Sequence, residues 1–409
     1  MGKTYTGAEK LIQIGAKVNL VVCQKSKVND WVDHFREHYE NETPFCLIHD
    51  LTKTTVKDIN RSLLKWCKDA EEHAFPHVYV INYDLIWRRP ELKKLKDFTL
   101  MLDESSLIQN ENSKRSRFIL GLKPKNVILL SGTPCGGKYE LLWSQMHLLG
   151  WKLSKQMYWD QYVRSHYEDV NGFPLRIVDG YKNVDRLKRK MREHGCHFLK
   201  TDEVIDLPDQ VFQSIKVPVT TAYRKFMRDR IVTVKDKELV GDTTLTKLLY
   251  ARMLCGVYSV DKLSAFQDLI ESTDDRVIVF YNFTAELLAM QSVLIDMYGE
   301  PETARRCSIV SGERKALQSY ETYSDSVTFV QYQAGAMGLN LQKACRIIYF
   351  TPPLSSELFE QSKKRIHRIG QKSTCFYYNL ICRGSVEEKI YEVLRQRKDY
   401  TEALFEFDQ

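Results

Sequence analysis

The sequence predicts an α/β protein of two lobes, each a parallel sheet covered by helices, with mostly helical material inserted between them. Three observations carry that prediction. Short apolar runs alternate with amphipathic stretches over residues 1–140 and again over 271–409, the strand–helix–strand rhythm of a parallel sheet covered on both faces. Over residues 141–270 this rhythm gives way to sequence rich in charge and aromatics, punctuated by Leu207-Pro208. The length of 409 residues suits two or three domains of roughly 100–200 residues each.

Taken in order, Val18–Cys23, Phe45–Ile48, Val78–Ile81, Thr99–Leu102 and Val127–Leu130 read as buried strands of the first lobe. Between them, Val28, Trp31, Val32 and Phe35 recur at helical spacing, as do Ile59, Leu63, Leu64 and Cys67. Strands resume at Val277–Tyr281, Ser308–Val310, Val327–Val330, Ile347–Phe350 and Phe376–Ile381. With 43% hydrophobic and 28% charged residues, the composition excludes a disordered, collagenous or low-complexity chain.

No apolar run approaches the roughly 18 residues that cross a bilayer, and the N-terminus lacks a signal-peptide layout. The expectation is a cytoplasmic protein with no membrane partner, in a bacterial cell or in the host of a bacteriophage. The ten cysteines lie far apart without a C-x-x-C, so buried thiols are expected at Cys23, Cys46, Cys255 and Cys345. Sixty Lys and Arg against 53 Asp and Glu leave a net charge of +7, which permits a nucleic-acid partner without requiring one. The surplus is clustered in Lys182–Arg192, read as a solvated helix face, and in Lys363–Lys372.

The chemistry concentrates at strand ends. Asp103-Glu104 closes the run FTLMLDE, and ligands of open parallel sheets sit at the carboxyl ends of strands. Two adjacent carboxylates repel unless a proton or cation sits between them, and Mg2+ resolves this with Asp103 in its coordination shell and Glu104 orienting a water. The next strand ends in Ser131-Gly132-Thr133-Pro134, a tight hydrogen-bonding turn. Near the C-terminus, Arg365 and Arg368 stand i,i+3 in the string that runs from Gln361 to Gln371, spaced to leave one helix face as forked donors to a phosphate. Upstream lies the loop sequence AGAMGLNL, Ala334–Leu341, after a strand.

Together, SGTP, GLNL and RIHRIGQ in this order and spacing resemble the motor core of superfamily-two helicase-like ATPases, specifically the Swi/Snf family of DNA translocases. Gly384-Ser385-Val386-Glu387-Glu388 matches that family's C-terminal signature, while VVCQKSKVNDW and VINYDLI resemble its early motifs. The resemblance implies two tandem RecA-like lobes with ATP between them. Asp103 and Glu104 would serve Mg2+ and water, and Gln361, Arg365 and Arg368 would complete catalysis. Gly2, Lys3, Thr4, Gly338 and Asn340 would bind the nucleotide, with Thr4 also touching the metal. Ser131 and Thr133 would couple hydrolysis to DNA. Ser26, Lys27, Asn82, Ser311 and Gly335 would face the backbone of duplex DNA, without sequence preference. The layout without appended modules looks like bacterial or bacteriophage members, with a separate nuclease or replication protein as an expected partner.

Two departures stand out. Met1-Gly2-Lys3-Thr4 keeps only the end of a G-x-x-x-x-G-K-[ST] phosphate loop, although the following helix is in place. The expectation is a product that starts upstream, or one fragment of a split reading frame. Ser106 stands where the family more often has histidine, and the block Leu199–Val204 has lysine in place of the usual arginine. The rival readings are a non-hydrolysing DNA-binding scaffold and the motor subunit of a nuclease or restriction assembly. His34, Glu37 and His38 also spell H-x-x-E-H, a zinc-protease pattern, but ordinary helix-surface histidines are the expected reading.

Overall fold

The computed structural model describes residues 2–40, 46–55, 76–170, 173–198, 206–234, 237–335 and 339–405. The helix expected around Ile59–Cys67, the Leu199–Val204 block and Gly338 lie outside these residues. The chain divides into two compact units, Met1–Leu199 with Asp399–Gln409, and Lys200–Lys398.

The first unit is built on β1 (Val18–Cys23), β2 (Leu47–Asp50), β3 (His77–Asn82), β4 (Thr99–Asp103) and β5 (Asn126–Leu130). All pair in parallel, in the order β2-β3-β1-β4-β5. A parallel sheet must bury both faces, and the pleat divides the strands accordingly. Leu20, Val22, Tyr79, Ile81, Leu100 and Leu102 fill one side, while Val21, Val80 and Met101 meet the helices α1 (Lys3–Ile14) and α2 (Val28–Phe35) on the other. β5 forms one edge, with all five residues half-buried, and among the described strands only β4 pairs with it. Beyond the sheet, β6 (Val163–Val170) and β7 (Phe173–Tyr181) form an antiparallel hairpin. The following helix, Val184–Glu193, buries Leu187 and Met191 and turns Arg186, Arg189 and Arg192 to solvent.

The second unit holds a seven-stranded sheet. Its members are β8 (Gln210–Val217), β11 (Val277–Tyr281), β12 (Cys307–Val310), β13 (Lys315–Ala316), β14 (Val327–Gln331), β15 (Arg346–Tyr349) and β16 (Cys375–Cys382). The order is β13-β12-β14-β11-β15-β16-β8, parallel except for β13. A separate two-stranded ribbon pairs β9 (Ile231–Val234) with β10 (Lys237–Val240).

The stretch expected to be mostly helical thus carries five strands, β6 to β10. None has the continuous apolar run of a buried strand. On β8, Val211 and Phe212 are exposed, and the strand is held by its backbone ladder to β16. That ladder also places the end of this stretch in the second unit, whereas residues up to 198 pack with the first.

Two buried carboxylates tie the second unit together. Lys262 and Glu387 are both wholly buried and pair at 2.6 and 2.7 Å, and the amide of Cys382 donates to Glu387 at 2.9 Å. Breaking such a pair from one side leaves an uncompensated buried charge, at a cost of about 3–5 kcal/mol. Glu286, at the start of the helix Thr284–Tyr298, accepts from the amides of Asn282 and Phe283 and from the Thr351 hydroxyl, all on Oε2. Its Oε1 is buried with no hydrogen-bond partner among the described residues, so closely packed that a Cβ on Gly256 would stand 2.2 Å from it.

Burial pushes the Glu286 carboxyl up to about 7 from an ordinary 4.5. Between those values the folded protein keeps a proton that the unfolded chain releases, so this group's contribution to stability falls as pH rises through that window. Glu286→Gln is expected to remove a pH-dependent loss of up to about 3 kcal/mol. Urea denaturation of both proteins at pH 5 and pH 8 checks this; equal changes in the two would refute it.

Candidate functional site

The carboxyl ends of β1, β3, β4 and β5 share one rim of the first sheet, because all four strands run parallel. At that rim β4 ends on Asp103, and Glu104 follows in the left-handed conformation, φ 58° and ψ 60°. A side chain other than glycine in this region is strained, and such strain collects at functional turns. Three side chains hold Glu104 there. Lys3 Nζ stands 3.4 Å from Oε2, while the Ser131 and Ser106 hydroxyls donate to Oε1 at 2.9 and 3.2 Å. The Ser131 Oγ in turn accepts from the amide of Thr133 at 3.2 Å.

Lys3 opens α1, preceded by Gly2 at φ 75°, a conformation that glycine adopts without strain. A helix start leaves its first amides without intrahelical acceptors and carries partial positive charge, which favours an anion. Thr4 follows, half-buried. The close seat of α1 on the sheet brings this start to the rim: a Cβ on Gly7 would meet Leu130 Cδ1 at 2.6 Å and Met101 Sδ at 3.1 Å. A Cβ on Gly132 would lie 3.5 Å from Lys3 Nζ, so the SGTP turn also borders the ammonium.

Asp103 is held differently. The indole N–H of Trp31, on α2, donates to its Oδ2 at 2.9 Å, and the Tyr83 hydroxyl donates to its main-chain oxygen at 3.0 Å. Burial raises the Asp103 carboxyl above its ordinary value, opposed by the Trp31 bond and the Lys3 charge. Among the described residues no second donor reaches the carboxylate, so an oxygen is left for a cation. A carboxylate with spare acceptor capacity, on a rim that Lys3 at the start of α1 also reaches, fits a divalent ion accompanied by phosphate. Trp31 and Tyr83 lie in the two strings that resemble early motifs, but only the fold shows their polar ends at the acidic pair.

In the second unit the GLNL and RIHRIGQ strings come together. Arg368 donates to Asn340 Oδ1 and to the Leu339 carbonyl, and the Leu341 amide donates to the Arg365 carbonyl at 3.1 Å. Gln371 fastens the same turn, donating to the carbonyls of Ala344, Gln342 and Ile366. The two arginines do not leave a helix face, as their spacing predicts. The helix Ser356–Lys363 ends before them, and the chain turns through Arg365 to Gly370, which sits at φ 94°. Gln361 remains on that helix, bonded to Glu357 at 3.3 Å.

Ser26 is exposed in a short turn after β1, where Lys27 pairs with Asp30 at 2.6 Å. Ser311 is half-buried in the turn after β12 and accepts from the Arg314 amide. Asn82 is buried, and so is Gly335, where a Cβ would meet Phe280 at 2.9 Å and Val330 at 3.0 Å; the glycine there answers to packing. Thr133 is buried as well. His34 is buried rather than on the helix surface, its ring stacked on His38 at 4.5 Å and edge-on to Tyr5 at 4.7 Å.

A comparison with protein families matches the SNF2-related domain over residues 6–256 and the helicase conserved C-terminal domain over 261–370. The chain belongs to the SNF2-related family. Mouse SWI/SNF-related matrix-associated actin-dependent regulator of chromatin subfamily A member 1 is 23% identical over 407 residues, covering 91% of this chain and 37% of that protein. The ISWI chromatin-remodeling complex ATPase ISW1 of Saccharomyces cerevisiae is 23% identical over 419 residues, covering 92% and 35%. This SNF2-related chain spans little more than a third of the length of such curated relatives. The solved Sulfolobus solfataricus SWI2/SNF2 ATPase core in complex with dsDNA is similar at 19% identity and a TM-score of 0.39, covering 98% of this chain and 86% of that one. No helix among the described residues is long and apolar enough to cross a membrane.

The seat of α1 is open to test. Gly7→Val is expected to push the helix off Leu130 and Met101 and to destabilise the first unit by about 1–3 kcal/mol. Chemical denaturation checks this, and an unchanged midpoint would show that α1 is not fixed by this contact.

Proposed function

We propose that this SNF2-related chain is an ATP-driven motor that couples hydrolysis to movement on duplex DNA. The observation that carries the reading is the convergence of Lys3, Asp103, Glu104 and Ser131 on one rim, from segments far apart in sequence. In this reading the α1 start and Lys3 bind the β- and γ-phosphates, with Gly2 allowing the chain to approach them. Thr4 and Asp103 hold Mg2+, whose charge neutralises the phosphates when bound. Glu104, beside Lys3 and oriented by two hydroxyls, directs a water at the γ-phosphate. Ser131, touching Glu104 and joined to Thr133, relays its state to the SGTP turn.

In the second unit Gln361, Arg365 and Arg368 are the candidate donors to a phosphate, and Asn340 is a further candidate for binding nucleotide. The name of one relative, the probable ATP-dependent DNA helicase CHR12 of Arabidopsis thaliana, supports DNA as the track. Ser26, Lys27 and Ser311 are the accessible candidates for its backbone, a contact that is independent of sequence. A separate nuclease or replication protein as partner, and a cytoplasmic location, belong to the same reading.

The test is steady-state ATP hydrolysis by the purified chain with and without duplex DNA, beside Glu104→Gln. The expected result is DNA-stimulated turnover that falls at least about a hundredfold in the variant. Turnover equal in the two proteins would refute the role of Glu104; turnover indifferent to DNA would refute the coupling.

A further inference from the structure

Trp31 fills a core position that any large apolar side chain would satisfy. It is 2% exposed, stacks on Phe35 at a centroid distance of 5.8 Å, and sits in α2 among buried Val28, Val32 and Phe35. What packing does not ask for is the aim of its single polar atom. The indole N–H meets Asp103 Oδ2 at 2.9 Å, although 72 residues separate the two in sequence. An indole has one donor and no acceptor, so it can hold one carboxylate oxygen and must leave the other alone.

The main chain of Asp103 is fixed as well. Tyr83, buried at the end of β3, donates its hydroxyl to the Asp103 carbonyl at 3.0 Å and lies 3.4 Å from that of Glu104. Asp103 is thereby held at both ends, by groups from two other strand-to-helix junctions. A carboxylate that must meet a cation in one orientation gains from this, because rotamer freedom is removed before the ion arrives.

We propose that Trp31 is a positioning residue, its indole N–H setting the Asp103 rotamer so that the second carboxylate oxygen is presented to the divalent cation that accompanies the nucleotide. The inference rests on the nucleotide reading above and adds to it the residue that orients the metal ligand. Tyr83 fixes the backbone on which that carboxylate turns.

The experiment titrates Mn2+ into the full chain with ADP present and reads free Mn2+ by electron paramagnetic resonance, for wild type, Trp31→Phe and Asp103→Ala. Trp31→Phe keeps a buried aromatic ring and loses the donor together with the extra volume of the indole. The expected result is Mn2+ affinity lowered about tenfold, the worth of one hydrogen bond to a charged group. ADP affinity in EDTA should stay near wild type, while a fall in melting temperature reports the lost ring volume. A purely structural tryptophan predicts the lower melting temperature with Mn2+ affinity unchanged, and that result overturns the inference. If Trp31→Phe does not fold, benzothienylalanine placed at position 31 alone puts sulfur in place of N–H within the same ring shape, and the same two outcomes apply. Asp103→Ala separates the levels of the argument. If it weakens Mn2+ binding while Trp31→Phe does not, only the positioning role fails. If it changes nothing, the metal reading of Asp103 fails and takes the inference with it.

Discussion

The first unit depends on a constraint of parallel sheets: every strand delivers its carboxyl end to the same rim. β1, β3, β4 and β5 therefore bring the approach to Trp31, the approach to Tyr83, the acidic pair and the SGTP turn to one place, with no further cost in chain length. At that rim Glu104 is strained, φ 58°, at a cost of about 1–3 kcal/mol. The Lys3 ammonium and two serine hydroxyls offset that cost locally, and the same three groups orient the carboxylate. Ser106 donates its hydroxyl to Glu104 here, a bond made without a titrating donor.

The second unit solves a different problem. Among its described residues no acidic pair stands at a strand end; its buried carboxylates hold elements together. Glu387, from the string that matches the family's C-terminal signature, locks the end of β16 to the helix Val260–Glu271 through Lys262. Glu388 accepts from Lys216 on β8 and from the Gly384 amide. The contacts this string makes in the unit are packing and charge pairing. The neighbouring turn from Arg365 to Gln371 is fastened to Leu339–Ala344, so the unit's two diagnostic strings form one structural piece.

Most of the sheet framework was legible in the sequence, because strands buried on both faces are continuous apolar runs. Val277–Tyr281 matches its observed bounds, and Thr99–Leu102 extends only to Asp103. The hairpin β6–β7 and the edge strand β8 were not legible, since exposed strands such as QVFQSIKV lack both a buried run and strict alternation. Acidic and basic candidates stand out in the sequence because their chemistry shows in single letters, and the fold brings Asp103, Glu104 and Lys3 to one rim. The polar contact of Trp31 was hidden, since an aromatic at helical spacing reads as core whether or not its polar atom has a target. For Arg365 and Arg368 the spacing predicts a shared helix face, and the helix stops at Lys363.

The central claim is that nucleotide binds at the start of α1, with Lys3 on its phosphates. The most direct measurement is equilibrium binding of a fluorescent ADP by anisotropy, comparing wild type with Lys3→Ala and with Glu104→Gln. The account predicts affinity at least about tenfold weaker in Lys3→Ala, from the loss of a charge-assisted contact, and little changed in Glu104→Gln. Equal affinity in wild type and Lys3→Ala would place the nucleotide elsewhere and contradict the account.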